Sequence, residues 1–327
     1  MKTTPQPRIF LGLDVAKDKV DACLLLPDQR RSNASFQNSR QGHRSLLDWL
    51  ESQAAAPVHA ALESTGPYSR PWCELLHARG HAVSLLNPAR PKAYAQALGH
   101  RNKTDGVDAR VLAQFAAERK PVRWAPPTPA QEQLKELTRR REDLLGLLQA
   151  EKNRLESAFT RLARESLGRS IKSLEKELAR MEDALAELVA QSPRLRTQEK
   201  LLRSIKGIGP VSARKILAEL PEVSCFGSAR QAAAYAGLSP RRHESGKTVR
   251  KRGKLSKTGN ANLRKALYMP ALVAIKHNPL IKAFAELLRA NGKCENVIIG
   301  AAMRKLLHIA FGVLKHQKPF DPAYANP

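Results

Sequence analysis

The sequence predicts a chain in three parts: an α/β domain over residues 1–125, a linker and coiled-coil arm over 126–199, and an all-α domain over 200–327. Three observations predict it. Short apolar runs of strand length alternate with helical patterns only before residue 125. A leucine seam at heptad spacing, in a stretch of balanced charge, occupies the middle. The last part is strongly basic and keeps a helical period.

The strands come first. Ile9–Val15 leads through Lys17-Asp-Lys into a second strand, Val20–Leu26, which turns at Pro27-Asp28. A third short strand near Ala34–Gln37 completes a meander. A helix over about His43–Ser52, a strand at Val58–Glu63, a helix after Pro67, a strand at Ala82–Leu86 and a helix over Asp105–Arg119 follow. Three antiparallel strands and then alternating helices and parallel strands is the order of the ribonuclease-H-like fold. Pro121 and the cluster Pro126-Pro127-Thr-Pro129 close the domain as a stiff linker.

In the arm, Ile171, Leu174, Leu178, Met181, Leu185 and Leu188 step 3-4-3-4-3. Leu134, Leu137, Leu144, Leu148, Leu155, Phe159 and Leu162 follow a looser version upstream. Glu165-Ser-Leu-Gly-Arg-Ser170 is the expected break between two long helices, forming a hairpin or a kinked arm. So narrow a seam favours subunit association; an ordinary helical subdomain is the alternative.

Further on, Ser204-Ile-Lys-Gly-Ile-Gly-Pro-Val-Ser-Ala-Arg-Lys-Ile-Leu-Ala-Glu219 fits a helix-hairpin-helix. There Gly207 and Gly209 would let the turn approach a phosphate, with Arg214 and Lys215 one turn on. A glycine turn between packed helices explains the same residues.

Charge narrows the partner. The net charge is +26 and the pI near 10.4. Residues 1–125 carry 18 basic and 11 acidic side chains, 126–199 carry 14 and 13, and 200–327 carry 24 and 6, so the excess lies at the C-terminal end. A polyanion bound in a salt-sensitive way is the natural partner. A membrane surface would call for a basic amphipathic helix with an aromatic face, and none stands out. Cys23, Cys73, Cys225 and Cys294 form no C-x-x-C pair and read as small apolar residues. Without an apolar leader, the protein is expected in the cytoplasm of a bacterium, associated with the nucleoid.

Two sets of residues carry chemistry. Asp14 and Glu63 each end an apolar run, at the lip of a strand, while Asp105 and Asp108 are three apart at a helix start and share a face. Converging carboxylates suit Mg²⁺, with Mn²⁺ as a substitute, and two such ions suit phosphodiester chemistry. Helix capping is the competing explanation for the pair on the helix. Asp18 and Asp21 are weaker candidates, because the hairpin turn and an outward strand face explain them.

The second set lies in Ser239–Gly253 and beyond, read as a flexible basic loop. Arg241, Arg242, Lys247, Arg250, Lys251, Arg252, Lys254, Lys257, Arg264 and Lys265 are accompanied by one acid, Glu244. Ser245 among these cations is a candidate nucleophile whose target phosphate they would hold. A plain nucleic-acid-binding loop, with His243 and Glu244 idle, is the simpler alternative. Lys103 joins the nucleic-acid-binding candidates.

These residues resemble a known family. Thr65-Gly66, Asn87-Pro88, Arg101-Asn-Lys-Thr-Asp-Gly-Val-Asp-Ala-Arg110, Ala233-Ala-Tyr-Ala-Gly-Leu-Ser-Pro240, Leu255-Ser-Lys-Thr-Gly-Asn260 and Leu263-Arg-Lys-Ala-Leu-Tyr-Met-Pro270 look like the DEDD transposases of the insertion-sequence one-ten family. The resemblance spans nearly the whole chain. It implies a RuvC-like domain, a coiled coil and a transposase domain, with Asp14, Glu63, Asp105 and Asp108 as the metal set. It also implies Ser245 as the nucleophile that becomes a phosphoserine, and a non-coding bridge RNA pairing with donor and target DNA. An oligomer is implied too, a dimer or a tetramer on DNA, in which one protomer's metal site serves another's serine. His243 stands where a close relative would have Tyr. The rival readings are a RuvC-like junction endonuclease using water, and a non-catalytic nucleic-acid scaffold.

Overall fold

The computed structural model describes the chain except residues 1–8, 54–56, 65, 100–104, 246–248 and 325–327, together with the side chains of 67, 105–107, 242–245, 249–253 and 324. It divides into two compact units, Met1–Pro126 and Pro127–Pro327, at the proline cluster.

The first unit is built on a five-stranded sheet. Strands β1 (Phe10–Val15), β2 (Lys19–Leu25) and β3 (Arg31–Gln37) form an antiparallel meander. Helix α1 (Arg40–Gln53) leads to β4 (His59–Glu63), which pairs parallel to β1. Helix α2 (Arg70–Ala78) leads to β5 (Ala82–Leu86), parallel to β4, giving the order β3-β2-β1-β4-β5. Helices α3 (Ala89–Ala97) and α4 (Asp105–Arg119) complete the unit.

Alternation along the strands assigns the two faces. Leu11, Leu13, Val20, Ala22, Leu24, Ala60 and Leu62 pack with Leu46 and Leu50 of α1 and Trp72, Cys73 and Leu76 of α2. The opposite face presents Cys23, Leu25, Ala61 and Leu86 to Ala109, Leu112, Ala113 and Phe115 of α4. Most strand bounds fall within a residue of those expected. The third strand starts three residues earlier, at Arg31, because its polar residues alternate between half-buried and exposed at the sheet edge. Helix α3 was not expected; Pro88 stands at its N-cap and Pro91 in its first turn, where proline is compatible with a helix start.

The unit's exit is stitched to β5. The Trp124 amide donates to the Val83 carbonyl at 2.6 Å, and the Ser84 hydroxyl donates to the Val122 carbonyl at 2.9 Å. With that proton committed, His59 Nε2, 2.8 Å from Ser84 Oγ, is the donor between the two side chains.

In the second unit, α5 (Pro129–Ser157) and α6 (Arg161–Gln191), 29 and 31 residues long, are joined by three residues. Ion pairs link them, Arg141 to Glu182 at 2.5 Å and Lys152 to Glu175 at 2.9 Å. The break lies at residues 158–160 and not at the expected 165–170, which are inside α6. Thr160 caps α6 through its hydroxyl, and Gly168 weakens a helix interior by only about 0.5–1 kcal/mol without ending it.

Next come α7 (Pro193–Arg203), α8 (Pro210–Glu219) and α9 (Ala229–Tyr235), then a hairpin of β6 (Pro240–Ser245) and β7 (Val249–Leu255). Helices α10 (Ala261–His277), α11 (Pro279–Ala290) and α12 (Glu295–His316) end the fold. This part is helical as expected apart from the hairpin, which corrects the reading of the basic stretch as an irregular loop. Its charged residues carry no apolar alternation from which a strand could be read. Helix α12 is long and apolar enough to cross a membrane by composition, and its Ile298, Ala302, Leu306, Leu307, Ala310 and Phe311 form the centre of this unit's core.

Burial, and secondarily Arg123, pushes the His59 imidazole down to about 4. A folded state that keeps His59 neutral is favoured fully above the unfolded value near 6.5, and the advantage is lost as pH falls towards 4. Unfolding in denaturant between pH 7 and 4 should show wild type losing at most about 3 kcal/mol more than His59→Gln. His43 and His81, also lowered by burial, remain in both proteins and cancel in the comparison.

Candidate active site

The acidic end of the first unit is set by one close approach. Gly12 of β1 lies under α4, where a Cβ would fall 1.9 Å from the Ala109 carbonyl oxygen and 2.5 Å from the Ala113 nitrogen. Only glycine lets the helix backbone lie this near the strand. Ala109 and Ala113 pack on this face, so α4 starts near the carboxyl end of β1, with Asp105 and Asp108 in its first turn.

Strand register supplies the rest. Leu13 pairs with Leu62 in the parallel ladder, so the next residue on each strand sets Glu63 beside Asp14. Asp14 and Glu63 share the face of Gly12 and Ala61, the one α4 covers. The antiparallel ladder places Asp21 directly opposite Asp14, on that same face. Asp21 therefore does not point outward as expected; its side chain is 15% exposed and accepts an ion pair from Lys19 at 2.9 Å. The signal was present in the symmetric pair Val15 and Val20 about a short turn, which fixes the 14–21 register.

Asp14, Glu63 and Asp108 are half-buried. The Asp105 side chain lies outside the described residues, among which no three Asp, Glu, His or Cys side chains group closely enough to hold a metal ion. The donor chemistry fits a hard divalent cation nonetheless. The groups at this end are carboxylates, and Asp14 faces Asp21 across the ladder, a like-charge opposition that a cation offsets. Asp14, Glu63, Asp105 and Asp108 are the residues that would hold it.

In the second unit, Ser245 is the last residue of β6 and pairs with Val249. Lys247, like Lys103 in the first unit, lies outside the described residues, as do the side chains of Ser245, Arg242, Arg250, Lys251 and Arg252. Arg241, Lys254 and Lys257 are exposed.

The hairpin's base is clasped tightly. The Ser256 amide donates to the Ser239 carbonyl at 2.9 Å and the Asn260 amide to the Tyr235 carbonyl at 2.7 Å. A Cβ on Gly259 would fall 2.3 Å from the Tyr235 carbonyl oxygen, and Gly237 has φ +69°. Arg264 donates to the Ala236 carbonyl at 3.1 Å. Asn260 caps α10 with Oδ1 and donates from Nδ2 to Glu219 at 2.9 Å. Glu219, buried at the end of α8, also accepts two hydrogen bonds from Arg139 of α5, at 2.9 and 3.3 Å. Burial alone would push its carboxyl up; the bonds from Arg139 and Asn260 outweigh that and hold it below the usual carboxylate range.

The turn before α8 has a different use from the expected one at one of its glycines. Gly207, at φ +112°, nests on α10, where a Cβ would lie 2.8 Å from Ala274 Cβ and 2.9 Å from the Pro270 carbonyl oxygen. Gly209 caps α8 with open space beside it. Arg214 pairs with Glu199 at 3.5 Å. Lys215 and Lys265 both pair with Glu142, the latter at 3.1 Å. These three cations are thus engaged inside the unit.

Comparison with known proteins gives two family matches in succession along the chain. Residues 11–163 match the IS110-type DEDD family described as "Transposase", and residues 199–286 match the "Transposase IS116/IS110/IS902 family". The chain is 33% identical over 320 residues to the pilin gene-inverting protein of Moraxella bovis, covering 96% of this chain and 98% of that one. It is 30% identical over 297 residues to the putative transposase y4pF/y4sB of Sinorhizobium fredii, covering 83% and 73%. The transposase for insertion sequence element IS1111A of Coxiella burnetii is 25% identical over 297 residues, covering 82% and 78%.

Gly12→Ala should lower the stability of the first unit by about 1–3 kcal/mol in denaturant unfolding, because α4 must shift. Gly168→Ala, in a helix interior with open space around it, should instead stabilise by about 0.5–1 kcal/mol. Glu219→Ala should cost the second unit about 1–3 kcal/mol and speed amide exchange across Pro240–Leu255, as Asn260 loses its anchor.

Proposed function

The chain belongs to the IS110 family of DEDD transposases, and we propose that it exchanges DNA strands under the guidance of an RNA, with Ser245 carrying the cleaved strand. As a transposase it is a phosphodiester-transfer enzyme acting on DNA. The observation that most supports the finer reading is the meeting of Asp14, Glu63 and the first turn of α4 at one end of one sheet face, in a chain that also ends a basic hairpin strand on a serine.

In this reading Asp14, Glu63, Asp105 and Asp108 hold divalent ions against the DNA backbone. A Mg²⁺ ion held by these carboxylates would supply Lewis-acid polarisation of the scissile phosphate and charge stabilisation for the leaving oxygen. The hairpin cations Arg241, Lys254 and Lys257, with Arg242, Lys247, Arg250, Lys251 and Arg252, hold the phosphate's charge and exclude free rotation of the strand. The Ser245 oxygen attacks phosphorus in line, the bond from phosphorus to the departing strand breaks, and the serine proton ends on the released hydroxyl. The phosphoserine retains the bond, so a second strand's hydroxyl can displace serine and reseal the backbone without ATP.

Two such exchanges join donor to target. The same chemistry at two sites in one molecule would invert the segment between them, the activity named in the Moraxella relative. Sequence choice is left to base pairing by a bridge RNA, while the basic second unit grips backbones, a division known from other guided systems. The working assembly is an oligomer in which the acids of one protomer serve the serine of another, with the α5–α6 helical pair as the associating arm.

The test is a denaturing gel of the protein incubated with donor and target DNA, bridge RNA and Mg²⁺. Wild type should form a covalent protein–DNA adduct and joined strands. Ser245→Ala and Asp14→Asn should each lose both. Cleavage that persists at full rate in Ser245→Ala, without an adduct, would mean that water is the nucleophile and would overturn the serine's role.

A further inference from the structure

Three segments distant in sequence meet around the turn that precedes α8. Asn278, buried between α10 and α11, donates from Nδ2 to the Lys206 carbonyl at 3.3 Å. The Phe320 amide, beyond the end of α12, donates to Ser204 Oγ at 2.8 Å. Gly207 presses against Pro270 and Ala274 of α10. The ends of α7, α10 and α12 are therefore drawn to one surface.

Each end brings cations. Arg203 and Lys206 come from the end of α7 and the turn, Lys276 from the last turn of α10, and Lys315 and Lys318 from the end of α12 and just past it. All five are exposed. Residues 200–218, 265–285 and 296–320 contain no acidic side chain. Among the described residues none of the five forms an ion pair, in contrast to Arg214, Lys215 and Lys265 nearby.

Cations in the last turn of a helix answer its dipole, which would account for Arg203, Lys276 and Lys315 one by one. Lys206 and Lys318 lie outside helices and gain nothing of that kind. Five unneutralised charges gathered from three segments make a field suited to phosphates. In the segments 203–206, 276–278 and 315–320 the exposed rings are the imidazoles of His277 and His316, with no exposed Phe, Tyr or Trp, so the surface offers cations for phosphates and no large platform for unpaired bases. A duplex backbone fits better than single-stranded RNA.

We propose that Arg203, Lys206, Lys276, Lys315 and Lys318 form a second DNA-backbone surface, built where α7, α10 and α12 end and separate from the β6–β7 hairpin. The proposal rests on the DNA-exchange reading above and adds where the duplex is held outside the reacting strand. It assigns the backbone grip of this region to cations beside the turn, in place of Arg214 and Lys215 on the helix that follows it.

The experiment is fluorescence anisotropy of full-length protein on a labelled duplex across a salt series, with circular dichroism melts as the folding control. The triple variant Lys206→Glu, Lys276→Glu, Lys318→Glu should bind at least about tenfold more weakly near 100 mM salt. Its plot of log affinity against log salt should be shallower by about two to three units, close to one for each lost phosphate contact. The triple Gln variant, milder for folding, should shift the same way by a smaller amount. Unchanged affinity and slope in folded Glu or Gln variants would overturn the surface, as would loss of bridge-RNA binding with duplex binding intact. Failure of wild type itself to bind duplex would instead overturn the exchange reading along with this one.

Discussion

The contact between the backbone of α4 and Gly12 is the constraint on which the first unit's chemistry depends. A helix normally rides above a sheet on side chains of both layers. Here the helix backbone comes down onto a strand that lacks a side chain at the crossing. That descent brings a helix start level with the ends of β1 and β4, so acids on separate elements are governed by one local distance. The flanking layers then serve as supports. Trp72 and the leucines of α1 and α2 brace the sheet from behind, while Ala61, Leu86 and Phe115 hold α4 against its front.

The second unit solves a different problem, that of carrying much positive charge on a helical body. Part of it is neutralised internally. Glu142 gathers Lys215 and Lys265, Glu199 takes Arg214, and Glu219 takes Arg139 while fixing Asn260. Buried acids are costly unless donors surround them, and Glu219, with Arg139 and Asn260 on its carboxylate, is surrounded. Part of the charge left over sits on the hairpin and around the turn before α8. Which cations face a partner is thus decided by where the few acids stand, more than by where the lysines and arginines are dense.

The sheet and its two helical layers were legible because alternation and strand length leave few other options over residues 9–119. Asp14 and Glu63 were legible as strand ends, and Asp105 and Asp108 as a helix start. Asp21 was not, since its face depends on hairpin register and not on its own neighbours. The hairpin at 240–255 was hidden because its strands carry charge where a strand usually advertises valine or isoleucine. The turn between the two long helices was misplaced because Gly168 looked like a break and Thr160, a cap, did not. Gly207 looked like a phosphate-binding glycine, and only the packing of Pro270 and Ala274 reveals what it accommodates.

Between β1 and β2 lie three residues, Ala16 to Asp18, closed by the Ala16 amide donating to the Lys19 carbonyl at 2.9 Å. That connection is a gauge of length. Strand side chains alternate with period two, so one codon gained or lost there would rotate β2 by half a turn relative to its partner. Val20, Ala22 and Leu24 would emerge beneath α4, and Asp21 would be driven into the hydrocarbon layer behind. Whatever residues occupy the turn, what it has to preserve is that register.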